Sequence, residues 1–563
     1  MKIFVTVLIF FTAFVFWKNR AEAQSSCSFG MRLRKVPEVK DEVGAPVVLE
    51  RSPANESTIL RLPDGTLKIF FINRPGQADK MMSVSSLDNG FSWGKPQVEF
   101  TLPGIAYHAN TVLLDDHGNV HCVFHIFGKG DKGYRGRQLN LWYCHTIHHG
   151  KDWSQSREIY NGYVGSVRGF IELKNKRLLL AFARAVPSRE EKLDGMATID
   201  YGWNDIISLY SDDNGATWQR SVNTIKVAVD SRKKSRYGGI EPAILQLTDG
   251  KVWMLIRTNK GYLYQSFSKD GGRNWQSPTP TRFISSDSPA SLLRLSDNRI
   301  LVFWCSDQRH DDPGSYANGG REVLHAAITG DEGRTWKGFR EVLISNFPSG
   351  AVKGDHGTAY PSATGTVEGK VVLVSGQGLS GAIVMFDPDW LEEDTAFDDF
   401  SGGLVQWTFF GEDSTAVPKS EAGNRHQALQ IRKPTEGVWN FPMTPKGKLI
   451  LEITMNPGNK KGVSLALTDH FSISADRKAS RVAPVCFTLG QIKDTTSLNV
   501  EIRWDNSGEK ASLYCNGKLR KEMIFQRKAP FGFNYLRASV PGKDDSREGY
   551  LIRSVKMVTN HRL

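Results

Sequence analysis

Three residues able to exchange protons occupy equivalent places in a repeated strand–turn–strand pattern. Most of the turns contain a glycine, and counting back nine residues from that glycine reaches Glu56, Glu241 and Tyr360 in three separate repeats. Carboxylates and phenols are groups from which enzymes build general acids, bases and nucleophiles. Because the same offset marks the same end of each strand, we expect the three side chains to meet at one rim and to form an active site.

Basic side chains are predicted at the same rim. In two further repeats the counted position is apolar, but a basic residue stands beside it, at His108 and Arg168. The strands that leave the turns end at basic residues: Arg74, His125, Arg184 and Arg257. The mouths of propellers are generally polar, but the matching offsets of these residues favour an active site over a merely wet channel.

A short motif spaces these repeats. It reads Ser-x-Asp-x-Gly-x-x-Trp, and we call it the Asp box. Its Asp is expected to accept backbone N–H groups of a tight turn, its Gly to adopt a positive φ, and its Trp to pack over the hairpin. We therefore assign the boxes a structural role and no catalysis. They begin at Ser86, Thr146, Ser211, Ser268 and Thr329, and the second has His148 in place of Asp.

The long period of the boxes predicts a β-propeller. Their starts lie about 60 residues apart, which is the length of a four-stranded blade rather than of one hairpin. Six apolar hairpins recur between residues 45 and 395, so we predict six blades. A strand from Val47–Glu50 is expected to close the last blade, because rings seal their edges.

A second all-β domain is predicted for residues 396–563, where the period stops. The runs 449–455, 463–469, 498–504, 511–517 and 550–558 alternate apolar and polar residues between turn signals. This pattern favours a two-sheet jelly roll or a concanavalin-like, lectin-like sandwich. Both a passive packing role and glycan binding remain open for it.

The chain resembles the sialidase superfamily over residues 45–395. The resemblance is carried by the Asp boxes, the run from Glu241 to Gly250, Arg257-Thr-Asn-Lys-Gly-Tyr, Asn318-Gly-Gly-Arg321 and Ala359-Tyr360. It implies a retaining exo-glycosidase with a tyrosine nucleophile, Tyr360, and Glu241 as the base that takes its proton. It also implies Asp79 as general acid/base, and Arg257 and Arg321 as ligands of a substrate carboxylate.

The sequence departs from this family at one arginine. The family places a third carboxylate-binding arginine on the first inner strand, where this chain has Glu56. Arg61 lies an odd number of residues away and points to the other face of the strand. A glutamate facing an anionic sugar repels it. Either Arg74, Arg168 or Arg184 therefore compensates from another blade, or the substrate is not an ordinary sialoside.

Three other functions stay open. Glu56 and Glu241 facing each other would form an acid and nucleophile pair for a neutral sugar, similar to arabinanase propellers. His108 and His125 with Tyr360 and an arginine would instead form a polysaccharide lyase acting on uronate polymers. A non-catalytic propeller that binds glycans is the third.

Composition indicates which partners suit the protein, and the amino terminus indicates its compartment. With 72 Lys and Arg against 60 Asp and Glu, the net charge of +12 suits an acidic glycan partner. Neither a phosphate-binding loop nor a basic stripe with aromatic residues indicates nucleic acid, and no spacing indicates a metal or cofactor. Residues 1–23 resemble a cleaved secretory signal, followed by a segment 24–44, so we expect a secreted, periplasmic or cell-surface protein with no membrane segment after cleavage. Cys122 with Cys144 or Cys486 with Cys515 would form disulfides, or remain buried thiols.

Overall fold

The computed structural model shows a chain built almost entirely of β-strands. It describes residues 42–559 except 75–77, 107–109, 129–137, 148–151, 187–202, 229–237, 309–319, 346–355, 411–427, 433–434, 456–461, 473–482, 491–496 and 542–548. The predicted signal at 1–23 and the segment up to residue 41 lie outside this part. Within it the helical pieces are the 3-10 turns Gly378–Ser380 and Pro388–Glu392 and a single 3-10 residue at Glu42, and no helix has the length and apolarity to cross a bilayer.

The strands up to residue 386 form six sheets. β1 (Val47–Arg51) comes first in the chain. The first sheet has β2 (Thr58–Arg61), β3 (Leu67–Ile72), β4 (Ala78–Ser86) and β5 (Gln97–Ala106). The second has β6 (Asn110–Leu114), β7 (Val120–Phe127), β8 (Leu139–Ile147), β9 (Asp152–Trp153) and β10 (Arg157–Tyr160). The third has β11 (Gly169–Glu172), β12 (Leu178–Val186), β13 (Trp203–Ser211) and β14 (Gln219–Arg220).

The other three sheets repeat this order. The fourth has β15 (Gly239–Gln246), β16 (Val252–Thr258), β17 (Tyr262–Ser268) and β18 (Thr279–Ile284). The fifth has β19 (Ser291–Arg294), β20 (Ile300–Trp304), β22 (Val323–Thr329) and β23 (Lys337–Ile344), with the short β21 (Asp307–Gln308) outside it. The sixth has β24 (Ser362–Gly365), β25 (Val371–Ser375) and β26 (Ala382–Phe386).

These sheets close into a six-bladed propeller, as predicted. The inner strands contact one another in the order β2, β6, β11, β15, β19 and β24, and β24 returns to β2. The predicted closing strand is confirmed, since β1 pairs antiparallel with β26 and completes the sixth blade. Apolar side chains of neighbouring blades interlock, as where Leu179 and Ile206 of the third blade pack with Met254 of the fourth. The ring therefore holds the leading ends of all six inner strands around one axis.

The Asp boxes hold the outer turns through the hydrogen bonds that their Asp and Gly residues predict. In the third blade, Ser211 donates to the Asp213 carboxylate at 2.7 Å, and the backbone N–H of Thr217 donates to the same oxygen at 2.8 Å. The N–H of Gly215, whose φ is 84°, donates to the Ser211 hydroxyl. The Thr217 hydroxyl, which donates to Oδ2 of Asp213 at 2.6 Å, lowers the pKa of Asp213 to about 2 together with the Thr217 N–H and the Ser211 hydroxyl. The boxes at Ser86, Ser268 and Thr329 repeat the pattern.

A two-sheet sandwich follows the propeller, as predicted from the alternating runs. The larger sheet contains β27 (Thr395–Asp398), β29 (Leu429–Ile431), β31 (Lys446–Met455), β35 (Ser497–Asp505), β36 (Lys510–Cys515), β37 (Lys518–Ile524) and β39 (Tyr550–Thr559). The smaller contains β28 (Trp407–Phe410), β30 (Glu436–Thr444), β32 (Val463–Thr468), β34 (Val485–Leu489) and β38 (Phe533–Ser539). Their inward side chains, among them Trp439, Leu451 and Ile502, form one buried core.

The sandwich docks on the fifth blade through strands and buried polar groups. β21 pairs in parallel with the short β33 (Phe471–Ser472). His325 of β22 is fully buried, and its Nδ1 accepts from the N–H of Ser306 at 3.2 Å. Its Nε2 therefore carries the proton and lies 2.6 Å from the Tyr535 hydroxyl, which donates to Glu341. This chain of hydrogen bonds requires a neutral imidazole.

A pH dependence of stability follows from His325. Burial lowers the pKa of His325 from 6.5 to about 3. Between these two pH values the unfolded chain binds a proton at this histidine and the folded protein does not. The free energy of unfolding should fall as the pH drops from about 6.5 toward 3, by up to about 1.4 kcal/mol per pH unit from this group. His325→Gln should flatten that slope in urea titrations at several pH values. An equal slope in both proteins would contradict the assignment.

The five described cysteines are free thiols. Cys122 and Cys144 face each other on β7 and β8 without a bond, and Cys486 and Cys515 lie in different sheets of the sandwich. Burial raises the pKa of Cys144 to about 12, so this thiol stays protonated. Of the alternatives left open by the sequence, the structure has the free thiols, which are buried except for the half-buried Cys486.

Candidate active site

The three residues found by the nine-residue count share an unusual backbone conformation. Glu56, Glu241 and Tyr360 have φ values of 54°, 48° and 67°, in the left-handed region that residues other than glycine rarely adopt. Glu241 lies at a register irregularity of β15, between Ile240 and Ala243. Glu56 and Tyr360 lie two residues before β2 and β24. Backbone strain of this kind concentrates at functional sites.

Tyr360 and Glu241 form a direct pair inside the ring. The Tyr360 hydroxyl donates to Oε1 of Glu241 at 3.0 Å, although the two residues are 119 positions apart. Nη1 of Arg257 donates to the other carboxylate oxygen at 2.6 Å and to the Tyr360 hydroxyl at 3.2 Å. All three residues are buried. The fourth and sixth blades thus bring a phenol, a carboxylate and a guanidinium together.

Asp287 and Gln377 complete the surroundings of the arginines. Asp287 accepts from Nε of Arg257 at 2.9 Å, and its backbone carbonyl lies 3.3 Å from Nη2 of Arg321. Nη1 of Arg321 donates to the Gln377 side-chain oxygen at 2.8 Å. The guanidinium of Arg321 lies 5.3 Å from the centre of the Tyr360 ring. Arg321 thus flanks the ring whose hydroxyl contacts Glu241.

The environment keeps Tyr360 protonated at rest. Burial raises the pKa of its hydroxyl well above 10, and the Glu241 carboxylate raises it further, against the opposing effects of Arg257 and Arg321. A phenol in this state is a weak nucleophile unless a base takes its proton during attack. Glu241 already accepts that proton in a hydrogen bond, so it is positioned as the base.

Glu56 and Arg168 lie on the other side of this cluster. Oε2 of Glu56 accepts from Ser166 at 2.6 Å, and Oε1 accepts from the Gln377 amide at 3.3 Å. Arg168 donates from Nη2 to the Pro361 carbonyl at 2.6 Å, and its guanidinium lies 5.8 Å from the centre of the Tyr360 ring. Of the three basic residues expected to compensate for Glu56, Arg168 is the one with a described contact to Tyr360.

Other residues singled out in the sequence lack such contacts in the described part of the chain. Asp79 is exposed and accepts from the Asn73 side chain at 2.6 Å, which lowers the pKa of Asp79. Arg74 is exposed beyond the end of β3, and Arg184 binds Asp205 on the neighbouring strand. His108 lies outside the described residues.

His125 occupies a structural position between blades. It is 2% exposed, and its Nε2 lies 2.8 Å from the backbone carbonyl of Gly165. The ring is held between the second blade and the connection to the third. This placement does not favour its use as the base of a lyase.

Sequence reasoning missed Asp287, Ser166 and Gln377. Asp287 stands two residues before Pro289, which is the position that the count gives for the fifth blade, and Ser166 stands one residue before the corresponding Val167. Extending the count by two residues toward the preceding loop would have found both. Gln377 follows β25, and a search of the strand ends for amides as well as charges would have found it.

A group of potential metal ligands lies at the opposite end of the inner strands. Asp116, His117 and Glu172 have ligand atoms within 4.8 Å of one another, on the turn after β6 and at the end of β11. Asp116 and His117 are exposed, and Lys176 forms an ion pair with Asp116. Acidic groups on a solvated turn need no ion, so the cluster is not linked to the candidate site.

Comparison with known proteins agrees with the fold. Residues 102–373 match the family model described as a BNR repeat-like domain. A sialidase of Micromonospora viridifaciens is 22% identical over 349 residues, which cover 54% of this chain and 49% of that protein. The match thus spans about half the length of this curated relative.

Solved structures that align with this chain include a Trypanosoma rangeli sialidase and a protein of unknown function from Dyadobacter fermentans. The first has a TM-score of 0.42 and 13% identity, covering 90% of this chain and 91% of its own. The second has a TM-score of 0.43 and 19% identity, covering 61% and 97%. The Asp boxes, the six-bladed ring and the family match lead to one assignment. The chain carries a BNR repeat-like domain within a six-bladed β-propeller.

Proposed function

We propose that this protein is a retaining exo-glycosidase of the sialidase type, which releases a terminal acidic sugar from a glycan. The observation that carries the proposal is the Tyr360 hydroxyl, which donates to Glu241 at 3.0 Å and accepts from Arg257 at 3.2 Å. A buried phenol with its own base is the arrangement that a tyrosine nucleophile needs. The glycosidase activity of the curated relative supports the same assignment.

The first chemical step forms a covalent glycosyl–enzyme. The Tyr360 oxygen attacks the anomeric carbon while its proton passes to Glu241, and the bond from that carbon to the leaving oxygen breaks. The leaving oxygen takes a proton from Asp79. Arg257 bonds both Glu241 and the tyrosine oxygen, so it stabilises negative charge that moves from the carboxylate to the phenol during attack.

The second step regenerates the enzyme. Asp79 takes a proton from water, whose oxygen attacks the anomeric carbon from the side that the leaving group vacated. The bond to Tyr360 breaks, and the phenol oxygen recovers its proton from Glu241. Two displacements at one carbon retain its configuration. Because Asn73 lowers the pKa of Asp79, bound substrate must desolvate this carboxyl before it can act as an acid.

The alternatives fit the contacts less well. Glu56 is 1% exposed, and both of its oxygens accept hydrogen bonds from Ser166 and Gln377, so it is not presented as the acid or nucleophile of a carboxylate pair. The lyase hypothesis is weakened because Nε2 of His125, which would have to act as a base, is hydrogen-bonded to the Gly165 carbonyl. A binding protein would have no need for the pairing of Tyr360 with Glu241.

The wider assignments made from the sequence belong to the same proposal. We assign the catalytic domain to residues 45–395 and an accessory, lectin-like role to residues 396–563. A secretory signal at residues 1–23 would direct the enzyme to glycans outside the cytoplasm.

A panel of chromogenic glycosides tests the proposed function. It contains a sialoside, an arabinoside and a glucuronide, and the anomeric configuration of the first product is followed by proton NMR. We expect release from an acidic glycoside with retention of configuration. Hydrolysis restricted to the arabinoside would contradict the acidic substrate, inversion would contradict the covalent step, and an unsaturated product absorbing in the ultraviolet would indicate a lyase.

A further inference from the structure

Arg168 differs from Arg257 in how its guanidinium is satisfied. Arg257 donates directly to two carboxylates, Glu241 and Asp287. Arg168 donates from Nη2 to the carbonyl of Pro361, while its Nη1 is buried and has no hydrogen-bond partner among the described residues. A buried N–H group without a partner destabilises the protein, because it has lost its hydrogen bonds to water. Such a group in a native site requires an explanation, and a bound ligand is one.

The charges around Arg168 are close but not bonded to it. Burial lowers the pKa of Arg168, and the strongest opposing influence is Glu56, followed by Glu241 and Tyr360. The oxygens of Glu56 are directed to Ser166 and Gln377 instead. The guanidinium therefore keeps its positive charge while Nη1 remains available for an acceptor.

Glu56 is also connected to the second arginine of the site. The Gln377 amide donates to Glu56, and its oxygen accepts from Nη1 of Arg321. One carboxylate thus balances Arg168 through space and orients Arg321 through an amide. Arg168 and Arg321 lie 5.8 and 5.3 Å from the centre of the Tyr360 ring. An anionic group bound by Arg168 would lie beside the nucleophile.

We propose that Arg168 determines the specificity for an acidic sugar, by binding the carboxylate of the terminal sugar through Nη1 beside Tyr360. Glu56 is a positioning residue, which balances the charge of Arg168 without occupying its N–H groups. The inference rests on the proposed function. It names a different blade for carboxylate recognition than the first inner strand, where Glu56 excludes an anion.

The experiment compares two probes that differ by one charge. They are the methyl α-glycoside of N-acetylneuraminic acid and the methyl ester of the same compound. Binding is measured by calorimetry with full-length Tyr360→Phe protein as the parent, so that no turnover intervenes. Arg168→Gln in this parent should reduce the preference for the acid over the ester about tenfold, which corresponds to about 1.4 kcal/mol. Arg168→Lys should retain part of the preference.

Two further variants control the result. Arg220→Gln makes the same substitution on an exposed arginine of β14 in the same blade, and it should leave the preference unchanged. Glu56→Gln keeps the shape but removes a negative charge, so it should increase the preference for the acid several-fold. A merely structural role of Glu56 would not produce such an increase, and thermal unfolding confirms that each variant is folded.

Several outcomes overturn the inference. They are an unchanged preference in Arg168→Gln, no preference for the acid in the parent, or failure of the parent to bind the acid. None of them decides the proposed function, which depends on turnover of the glycoside panel by the unmodified protein. Conversely, a preference that depends on Arg168 in a protein that hydrolyses nothing would support recognition and contradict catalysis.

Discussion

Tyr360→Phe should lower kcat/KM for the preferred glycoside by at least about 10³-fold. The substitution removes the hydroxyl that bonds Glu241 at 3.0 Å and leaves the ring between its arginine neighbours in place. The loss should therefore lie in kcat, with KM little changed, because the missing oxygen bonds the anomeric carbon during the reaction and does not contribute to binding the sugar beforehand. Steady-state kinetics on the chromogenic substrate measure both constants.

Tyr210→Phe is the matched control for this variant. Tyr210 is a buried propeller tyrosine whose hydroxyl donates to Gln219 at 2.9 Å in the third blade. Its loss should cost about 1 kcal/mol of stability and leave kcat within about twofold, since it lies outside the proposed machinery. Turnover that is retained in Tyr360→Phe but lost in Tyr210→Phe would show that Tyr360 takes no part in the reaction.

The sequence predicted the site through the regularity of the turns. A turn glycine fixes the register of its hairpin, so a count from Gly65, Gly250 or Gly369 finds the leading end of an inner strand without knowledge of the loop before it. Where the useful side chain lies in the loop, as Asp287 does, the count reaches the wrong residue. Loop conformation depends on packing against other blades, which a single sequence does not display.

Arg74 and Arg184 show a second limit of the same reasoning. Both were singled out because they end strands that leave the turns, and a strand end identifies a rim of the propeller. It does not identify the distance from the axis. Arg184 on β12 faces its cross-strand partner Asp205, whereas Arg257, equally near its strand end, reaches Glu241 on the adjacent inner strand.

The sequence predicted the fold of the sandwich but not its contact with the propeller. Alternating runs and turn signals are local features, and they gave the strands of both sheets. The contact of His325 with Tyr535 joins residues 210 positions apart, and it requires matching surfaces on two domains. No periodicity in either segment encodes that match, so the buried histidine appeared in the sequence as an ordinary strand residue.

Arg257→Met should destabilise the folded protein by about 3–5 kcal/mol. Arg257 is 2% exposed and bonds Glu241 at 2.6 Å and Asp287 at 2.9 Å. Methionine fills much of the same volume but leaves two carboxylates buried without their cation. Urea unfolding of the full chain at neutral pH measures the loss, and Lys251→Met, which removes a cation from an exposed pair with Asp249, should cost less than about 1 kcal/mol.

The cause of the loss can be separated from the loss of packing. If unpaired charge is responsible, adding Glu241→Gln and Asp287→Asn to Arg257→Met should restore most of the stability, because the triple variant buries no charge at either position. If packing is responsible, the triple variant should be no more stable than Arg257→Met alone. Recovered stability would show that these ion pairs are not needed for the fold, and the triple variant should remain inactive because it lacks Glu241, the base that serves Tyr360.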